Sequence, residues 1–415
     1  MSIEIWMAKA GIGDCILIRC GKAEKKVNIL IDSGQGISAF DSILRRVSWN
    51  EEKIDMLILT HDDNDHVKGA CNLMEKVYGV DKGKINLDIP EGRIFVGLTE
   101  ERILFNFGGN GAETLLAARD IKKLARLLEE TIDFHKLGFV LADDEATDEK
   151  PLPNVVQLRW EAMNNGLSSN VIRNLKQEDF HTEMEHLEIV VLSPKRKTLA
   201  KYIQSAWSEL NKEELLKGRP KNDKSEWEES IQYWLNHPMK FMCDDKMANN
   251  ASIAFLLIYE GHYMLFSGDA SPGQMVEAGR NYLRRMGRDE NDMKLDLIKL
   301  PHHGSSHNLN HEFLQFFRTK RYLISTSGHE RYKHPGKEAL AEIASVLNCG
   351  ERAEIYSNYN WWNQKDSFWR AEAREGNWNK NRCILKKKDG GLRYLDFYQL
   401  DTIPIRVSGD VWLST

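Results

Sequence analysis

The sequence predicts an α/β protein whose chemistry gathers at the ends of strands. Three observations lead there. Short apolar runs of strand length recur along the chain between Gly-bearing turns. Stretches of helical period lie between several of them. Four of the apolar runs end in Asp or His: at Asp32, at His61 to His66, at Asp269, and at His302 and His303. Strand, helix, strand with charged residues at the C-terminal strand ends is the layout of α/β sites.

The opening segments IEIWMA, CILIRC and KVNILIDSG read as a meander of three strands, the third closed by Asp32. Residues 37–49 suit a helix, and KIDMLILTH is the next strand. From about 70 to 185 the pattern turns mixed and more helical. There Ala117, Ile121, Leu124, Leu128 and Ile132 form a stripe of helical period, with His135 at its end and Gly138 as the stop. A strand returns at LEIVVLSP, and the polar segment 195–248 includes the Trp-bearing SEWEESIQYWLNH. ASIAFLLIYEGHYMLFSGDA pairs two strands about a turn near Glu260 and Gly261. KLDLIKLPHHGSS and RYLISTSGHERYKHP are strands running into loops. GKEALAEIASVLN is a helix, and RCILKKKDGGLRYLDFY a last pair of strands. No repeat or low-complexity linker divides the chain. The expected organisation is one domain over 1–345 with insertions at about 72–185 and 195–248. Residues 346–415 form a helix and strand extension packed on that domain.

Composition narrows the classes. The chain has 415 residues, 41% of them hydrophobic and 29% charged, with net charge −5. That length is ample for a sizeable core. No apolar stretch approaches the roughly 20 residues of a membrane helix, so no membrane role is expected. The start, MSIEIWMAKAGIGDC, has no signal-peptide pattern. Six cysteines without a CxxC pair read as reduced thiols. These features predict a soluble cytoplasmic protein. Mild acidity argues against a coat of bulk nucleic acid, although basic runs occur at 194–201, 217–224, 280–288 and 318–321.

The densest chemistry lies in LILTHDDNDHVKG, residues 57–69, where two histidines and three aspartates occupy six positions after an apolar run. Carboxylates at that density repel one another unless a cation sits among them. Strand ends at one edge of a sheet converge even when far apart in sequence. His and carboxylate together suit a divalent ion such as zinc, manganese or iron.

These pieces, in this order, resemble the metallo-β-lactamase fold, whose usual signature is His-x-His-x-Asp-His. THDDNDH stands for that signature, Asp32 for the first-motif aspartate, Asp269 for the bridging aspartate, and PHHGS for the final histidine. The likeness is closer to the soluble nuclease-like branch represented by the DNA-uptake protein ComEC and its stand-alone relatives. That branch shares the GxGD turn (Gly11, Gly13, Asp14), an Asn-x-x-Ser element (Asn249, Ser252) and a late His-Pro (His334, Pro335). The motifs span residues 11–335. The resemblance implies an αββα sandwich, two mixed sheets face to face with helices outside.

Carried over residue by residue, it implies one ion on His61, Asp63 and Asp269 with Asn249 nearby. A second ion takes Asp65, His66, Asp269 and His303, with Asp269 bridging and a hydroxide between the ions as nucleophile. Which histidine of the 302–303 pair binds metal stays open; with His303 as ligand, His302 contacts a phosphate or protonates the leaving group. Asp65, Asp269 and His302 are thus the expected catalytic residues. Asp32 is expected to orient a ligand from behind the metals. Ser305 and Ser306 cap the following segment or bond a phosphate, and His334 contacts substrate or supports the loop. Asp62 and Asn64 should point away and solvate the loop, and His307 and His311 should lie at the surface.

The departures carry information. Asp63 stands where many members of the family have a second histidine, and Asn249 or Asn250 where they have a middle one. Oxygen for nitrogen makes the site harder and favours manganese or magnesium relative to zinc. The expected cofactor is two divalent ions, manganese or zinc, with magnesium a further candidate. The resemblance points to a phosphodiesterase or nuclease acting on DNA or RNA. The aromatic run YSNYNWWNQ, residues 356–364, is either core or a stacking groove for single-stranded bases. The competing readings are a small-molecule ester, lactone or phosphoester hydrolase, and a metal-holding module that docks a protein partner through the polar insertions.

Overall fold

The computed structural model describes residues 2–22, 25–47, 49, 52–78, 88, 90–95, 103–105, 171–173, 187–195, 197–199, 201–202, 227–238, 240–329, 332–363, 369, 377–401, 404–408 and 411–414. The helical stripe at 117–132, His135 and the basic run 217–224 lie outside these residues.

The described strands form two mixed sheets. The first is built on the predicted meander: β1 (Ser2–Met7), β2 (Ile16–Lys22) and β3 (Lys25–Ile31) are antiparallel neighbours. Helix α1 (Ser38–Arg46) then carries the chain to β4 (Met56–Leu59), which runs parallel to β3, so their C-terminal ends share an edge. Helix α2 (Asn64–Tyr78), the short α3 (Pro90–Ile94) and β5 (Ile103–Phe105), parallel to β4, follow. Period-two alternation assigns the faces. Leu17, Leu30, Leu57 and Leu59 pack with Phe40 of α1 and Val67 of α2. The alternate residues Ile18, Ile29, Met56 and Ile58 join a buried cluster that also takes Ile189, Phe255 and Leu297 from the second sheet.

The second sheet starts with β6 (Val171–Arg173), β7 (Leu187–Ser193), β8 (Ala254–Tyr259) and β9 (His262–Phe266), each antiparallel to the next. Between β7 and β8 lie α4 (Ile231–Asn236) and α5 (Met247–Asn250). The β8–β9 hairpin turns on Glu260 and Gly261, both with positive φ, the requirement of a two-residue type I′ turn. Parallel strands follow: β10 (Leu297–Lys299), β11 (Arg321–Ile324) and β12 (Arg352–Ser357). Helices α6 (Pro272–Arg285), α7 (His311–Phe316) and α8 (Lys337–Ser345) connect them. The C-terminal ends of β9, β10 and β11 therefore share one edge.

The chain beyond residue 345 serves both sheets. β12, β13 (Trp378–Asn379), β14 (Arg382–Lys386) and β15 (Leu392–Gln399) widen the second. β16 (Ile405–Ser408) and β17 (Val411–Ser414) extend the first beside β1. Trp361 and Trp362 of the aromatic run are buried, packed with Phe397, so this stretch is core and presents no stacking groove there.

Candidate metal centre

One wall of the site is the edge after β3 and β4. Asp32 is fully buried, and its carboxylate accepts from the Thr60 N–H at 2.8 Å and the Thr60 hydroxyl at 2.7 Å. Its Oδ2 also lies 2.8 Å from His66 Nδ1, which fixes that ring. Helix α2 begins at Asn64, so Asp65 and His66 project from its first turn, where the helix dipole favours a carboxylate. Gly13 of the GxGD turn is pressed against this turn: a Cβ there would meet the Asp65 carbonyl oxygen at 1.6 Å.

The other wall is the edge after β9, β10 and β11. Asp269 follows β9, and its N–H donates to Ser252 Oγ at 3.0 Å. Gly268 has φ +48, and a Cβ would stand 2.3 Å from that hydroxyl, so only glycine fits. The Ile253 N–H donates to the Thr60 carbonyl at 2.8 Å, joining the two walls. After β10, His302 and His303 both adopt left-handed backbone conformations, with φ 48 and φ 55. His303 Nδ1 lies 2.9 Å from the Ser325 carbonyl. Beside it, the buried Lys299 ammonium pairs with buried Asp14, whose other oxygen is 3.6 Å from the same Nδ1.

Asp269 is the centre of the arrangement. Its Oδ1 faces His66 Nε2 at 3.6 Å and His303 Nε2 at 4.0 Å. Asp65 Oδ2 is 3.5 Å from His303 Nε2 and 3.9 Å from His66 Nε2. Asp269 Oδ2 faces His61 Nε2 at 3.7 Å and His302 Nε2 at 3.6 Å, while Asp63 Oδ2 is 3.7 Å from His61 Nε2. These separations exceed hydrogen-bond range. They suit pairs of donors sharing an ion at about 2.0–2.2 Å from each.

Burial makes the point sharper. The Nε2 atoms of His61, His66 and His303 and Oδ1 of Asp269 are buried and have no hydrogen-bond partner. Such atoms are rare in folded proteins and call for a partner of another kind. His61, His66 and Asp269 bring their donors within 4.8 Å of one another, as do Asp14, His66 and His303. Asp14 lies on the Nδ1 side of His303 and is held by Lys299, so it backs the imidazole. The residues fit a divalent cation.

Electrostatics agree. Burial alone would raise the Asp269 carboxyl, but His302, His66, His303 and His61 hold it well below the ordinary range. Burial alone would lower the His61 and His303 imidazoles; Asp269 and the other facing carboxylates prevail and hold them up at about 9 and about 10. A bound cation would serve the same balance and displace those protons.

The remaining expected residues divide. Asn249 is buried; its Nδ2 donates to Asp244 Oδ2 at 2.6 Å, and its Oδ1 has no partner. Buried Ser305 accepts from the His307 N–H at 3.3 Å. The His334 ring is 5.1 Å from that of His302. His311 and Asn64 are exposed, while His307 is half-buried against the Met242 carbonyl. Asp62 does not solvate the loop: it is buried and accepts a hydrogen bond from the Tyr202 hydroxyl. Burial and neighbouring Asp63 push its pKa up.

Sequence reasoning did not select Asp244, Lys246, Tyr202 or Lys299. Lys246, about half exposed, pairs with Asp63 at the rim of the site. Asp244 Oδ2 lies 3.1 Å from His302 Nδ1. The only local signal for either was the charged run CDDK directly ahead of Asn249.

The fold and site define a mixed α/β protein with a buried His and Asp cluster fit for divalent metal. The model of the metallo-beta-lactamase superfamily matches residues 8–92, roughly a fifth of the chain. That segment carries Asp14, Asp32 and the ligand-rich stretch from His61 to His66. No curated protein matches the chain.

Proposed function

We propose that the protein is a divalent-metal-dependent phosphodiesterase, a nuclease of the ComEC-type branch, in which Asp269 and the histidines and carboxylates around it would hold two ions. The observation that carries this reading is the partition around the Asp269 carboxylate. His66 and His303 face Oδ1, and His61 and His302 face Oδ2. The superfamily match supports hydrolysis as the reaction class. The cluster of buried side chains drawn from both sheets supports a face-to-face sandwich.

Two divalent ions, when bound, supply Lewis acidity toward a phosphoryl oxygen and lower the pKa of water. The chain supplies the rest. Asp32 and the Ser325 carbonyl hold His66 and His303 with Nδ1 protonated, which leaves each Nε2 lone pair turned to the site. Asp63 in place of a histidine adds oxygen donors, which favours manganese over zinc. Lys246 at the rim offers the anionic substrate a positive contact. The RTKR run does not flank the site, because it precedes β11 while the site follows the C-terminal strand ends. The described cysteines are free thiols, and no described helix is long and apolar enough to cross a membrane. The free thiols support the reducing cytoplasm as the compartment.

The test is metal analysis of the purified protein, paired with hydrolysis of bis-p-nitrophenyl phosphate, single-stranded DNA and RNA under manganese, magnesium and zinc. We expect two ions per chain and manganese-dependent cleavage. A chain that holds ions yet hydrolyses only neutral esters would overturn the phosphodiesterase assignment.

A further inference from the structure

We infer that His302 is a ligand of the first ion, so that the two adjacent histidines serve one ion each and His302 is not a proton donor. The inference rests on the metal-centre reading above and assigns a nitrogen donor to a site whose expected ligands were His61, Asp63 and Asp269.

Position comes first. His302 Nε2 is 3.6 Å from Asp269 Oδ2, the oxygen that His61 Nε2 faces at 3.7 Å. The spacing repeats that of His66 Nε2 on the other oxygen, 3.6 Å. His302 thus stands in the same relation to the first site as His66 to the second.

Protonation follows from the neighbours. His302 Nδ1 lies 2.9 Å from Asn308 Oδ1 and 3.1 Å from Asp244 Oδ2, both acceptors and both nearer than the Asn249 amide nitrogen at 3.4 Å. Asn308 Nδ2 donates to the Asp269 carbonyl at 3.0 Å, which turns its oxygen toward His302. A ring that donates through Nδ1 to these acceptors turns the lone pair of its Nε2 toward Asp269. A histidine tied at Nδ1 to a carboxylate is the arrangement of a metal-ligating imidazole. Asp244 is itself fixed by Asn249 Nδ2 at 2.6 Å and by the Lys246 N–H at 3.1 Å. Asn249 therefore stands behind His302 and holds the carboxylate that orients it.

The backbone explains how neighbours reach different ions. Two consecutive non-glycine residues in the left-handed region carry backbone strain that the surrounding structure must hold in place. The His302 N–H to the Gly268 carbonyl, 3.0 Å, pins the turn. The result sets the two rings 69° apart, each toward its own oxygen of one carboxylate. A lone ligand would not require both residues to be strained.

The test is ion stoichiometry and affinity on the full chain by metal analysis and calorimetry with Mn²⁺ and Co²⁺, with metal-free melting as the folding control. Wild type should bind two ions. His302→Ala and His61→Ala should each bind one, and the double variant His61→Ala/His302→Ala should still bind one. His303→Ala should also bind one, and His302→Ala/His303→Ala none. Asp244→Asn, which leaves every ligand in place, should weaken one ion by about 10–100-fold and spare the other. Two ions at wild-type affinity in His302→Ala, or an unchanged Asp244→Asn, would overturn the inference and leave the metal-centre reading standing. A wild-type chain that binds no ion would remove that reading itself.

Discussion

Asp32→Asn should cost the second ion about 10–100-fold in affinity without unfolding the protein. Asp32 has φ 50, a left-handed conformation that asparagine tolerates well, so the backbone has no reason to move. The amide can keep its oxygen on the Thr60 N–H, now bonded at 2.8 Å. Its NH₂ then replaces the oxygen that accepts from the Thr60 hydroxyl at 2.7 Å and from His66 Nδ1 at 2.8 Å. A donor facing Nδ1 forces the ring proton onto Nε2, the atom turned to Asp65 and Asp269, and removes the lone pair a cation needs. Loss of such an orienting partner typically costs 10–100-fold in metal affinity, about 1.4–2.7 kcal/mol. The first ion should be affected less, since His61 reaches Asp32 only through the Thr60 hydroxyl, 3.1 Å from its Nδ1. Calorimetric titration of both ions into metal-free wild type and variant reads this directly. Equal affinities for both ions in the two proteins would show that Asp32 does not set the His66 tautomer.

On the proposed reading both sites use the Asp269 carboxylate, so Asp269→Ala should bind neither ion and lose phosphodiester hydrolysis; metal analysis beside an activity assay checks it, and one retained ion would deny the shared role. Lys246→Met removes the ammonium paired with Asp63. It should bind the first ion about fivefold more tightly, from an interaction worth about 1 kcal/mol, and raise KM for a phosphodiester but not for a neutral ester. Glu4 is buried among Arg19 at 2.8 Å, Lys26 at 3.0 Å and Arg406 at 3.4 Å. Burial alone would raise its pKa, but Lys26, Arg19 and Arg406 outweigh that and lower it. Its stabilisation is therefore full above the unfolded value and lost as pH falls through the folded one. Glu4→Gln should lose about 3 kcal/mol at pH 7, the low end for a buried pair left without one partner. That difference should shrink toward zero in strong acid, and urea melts at both pH values test it.

The residues that read well from sequence are those whose signal is local. An apolar run that stops at His61 or Asp269 announces both a strand and a strand end, and the observed edges follow from it. Asp63, Asp65 and His66 sit within that signal. What failed needed partners far along the chain. Asp62 reads as a solvated neighbour until Tyr202 covers it. Asp244 and Lys246 lie in a polar stretch with no periodicity, so nothing local separates them from surface charge. Helix α6 was hidden behind its own arginines: in RNYLRRMGR, Arg280 is spent on Glu290 and Glu312, and Tyr282 and Leu283 are buried. A charge run carries no address until topology says which end of a strand it occupies.

Charge balance gives a reason, on the proposed reading, for two ions and not one. Five carboxylates face the pocket or the histidines that line it: Asp32, Asp63, Asp65, Asp244 and Asp269. Asp14 does not count among them, since Lys299 neutralises it. Lys246 supplies one positive charge on Asp63. Two divalent ions beside it match the five carboxylates, and a phosphodiester with its single negative charge then enters without net repulsion. With a single ion on the His66 and His303 side, His61 keeps the proton that its facing carboxylates hold on it at neutral pH, which leaves one negative charge uncompensated. At about 5 Å and an effective dielectric near 20, that charge would oppose the substrate by about 3 kcal/mol. A neutral ester would not feel that opposition. On the proposed reading the oxygen-for-nitrogen change at Asp63 would therefore do more than harden the site: it would tie acceptance of an anionic substrate to full occupation.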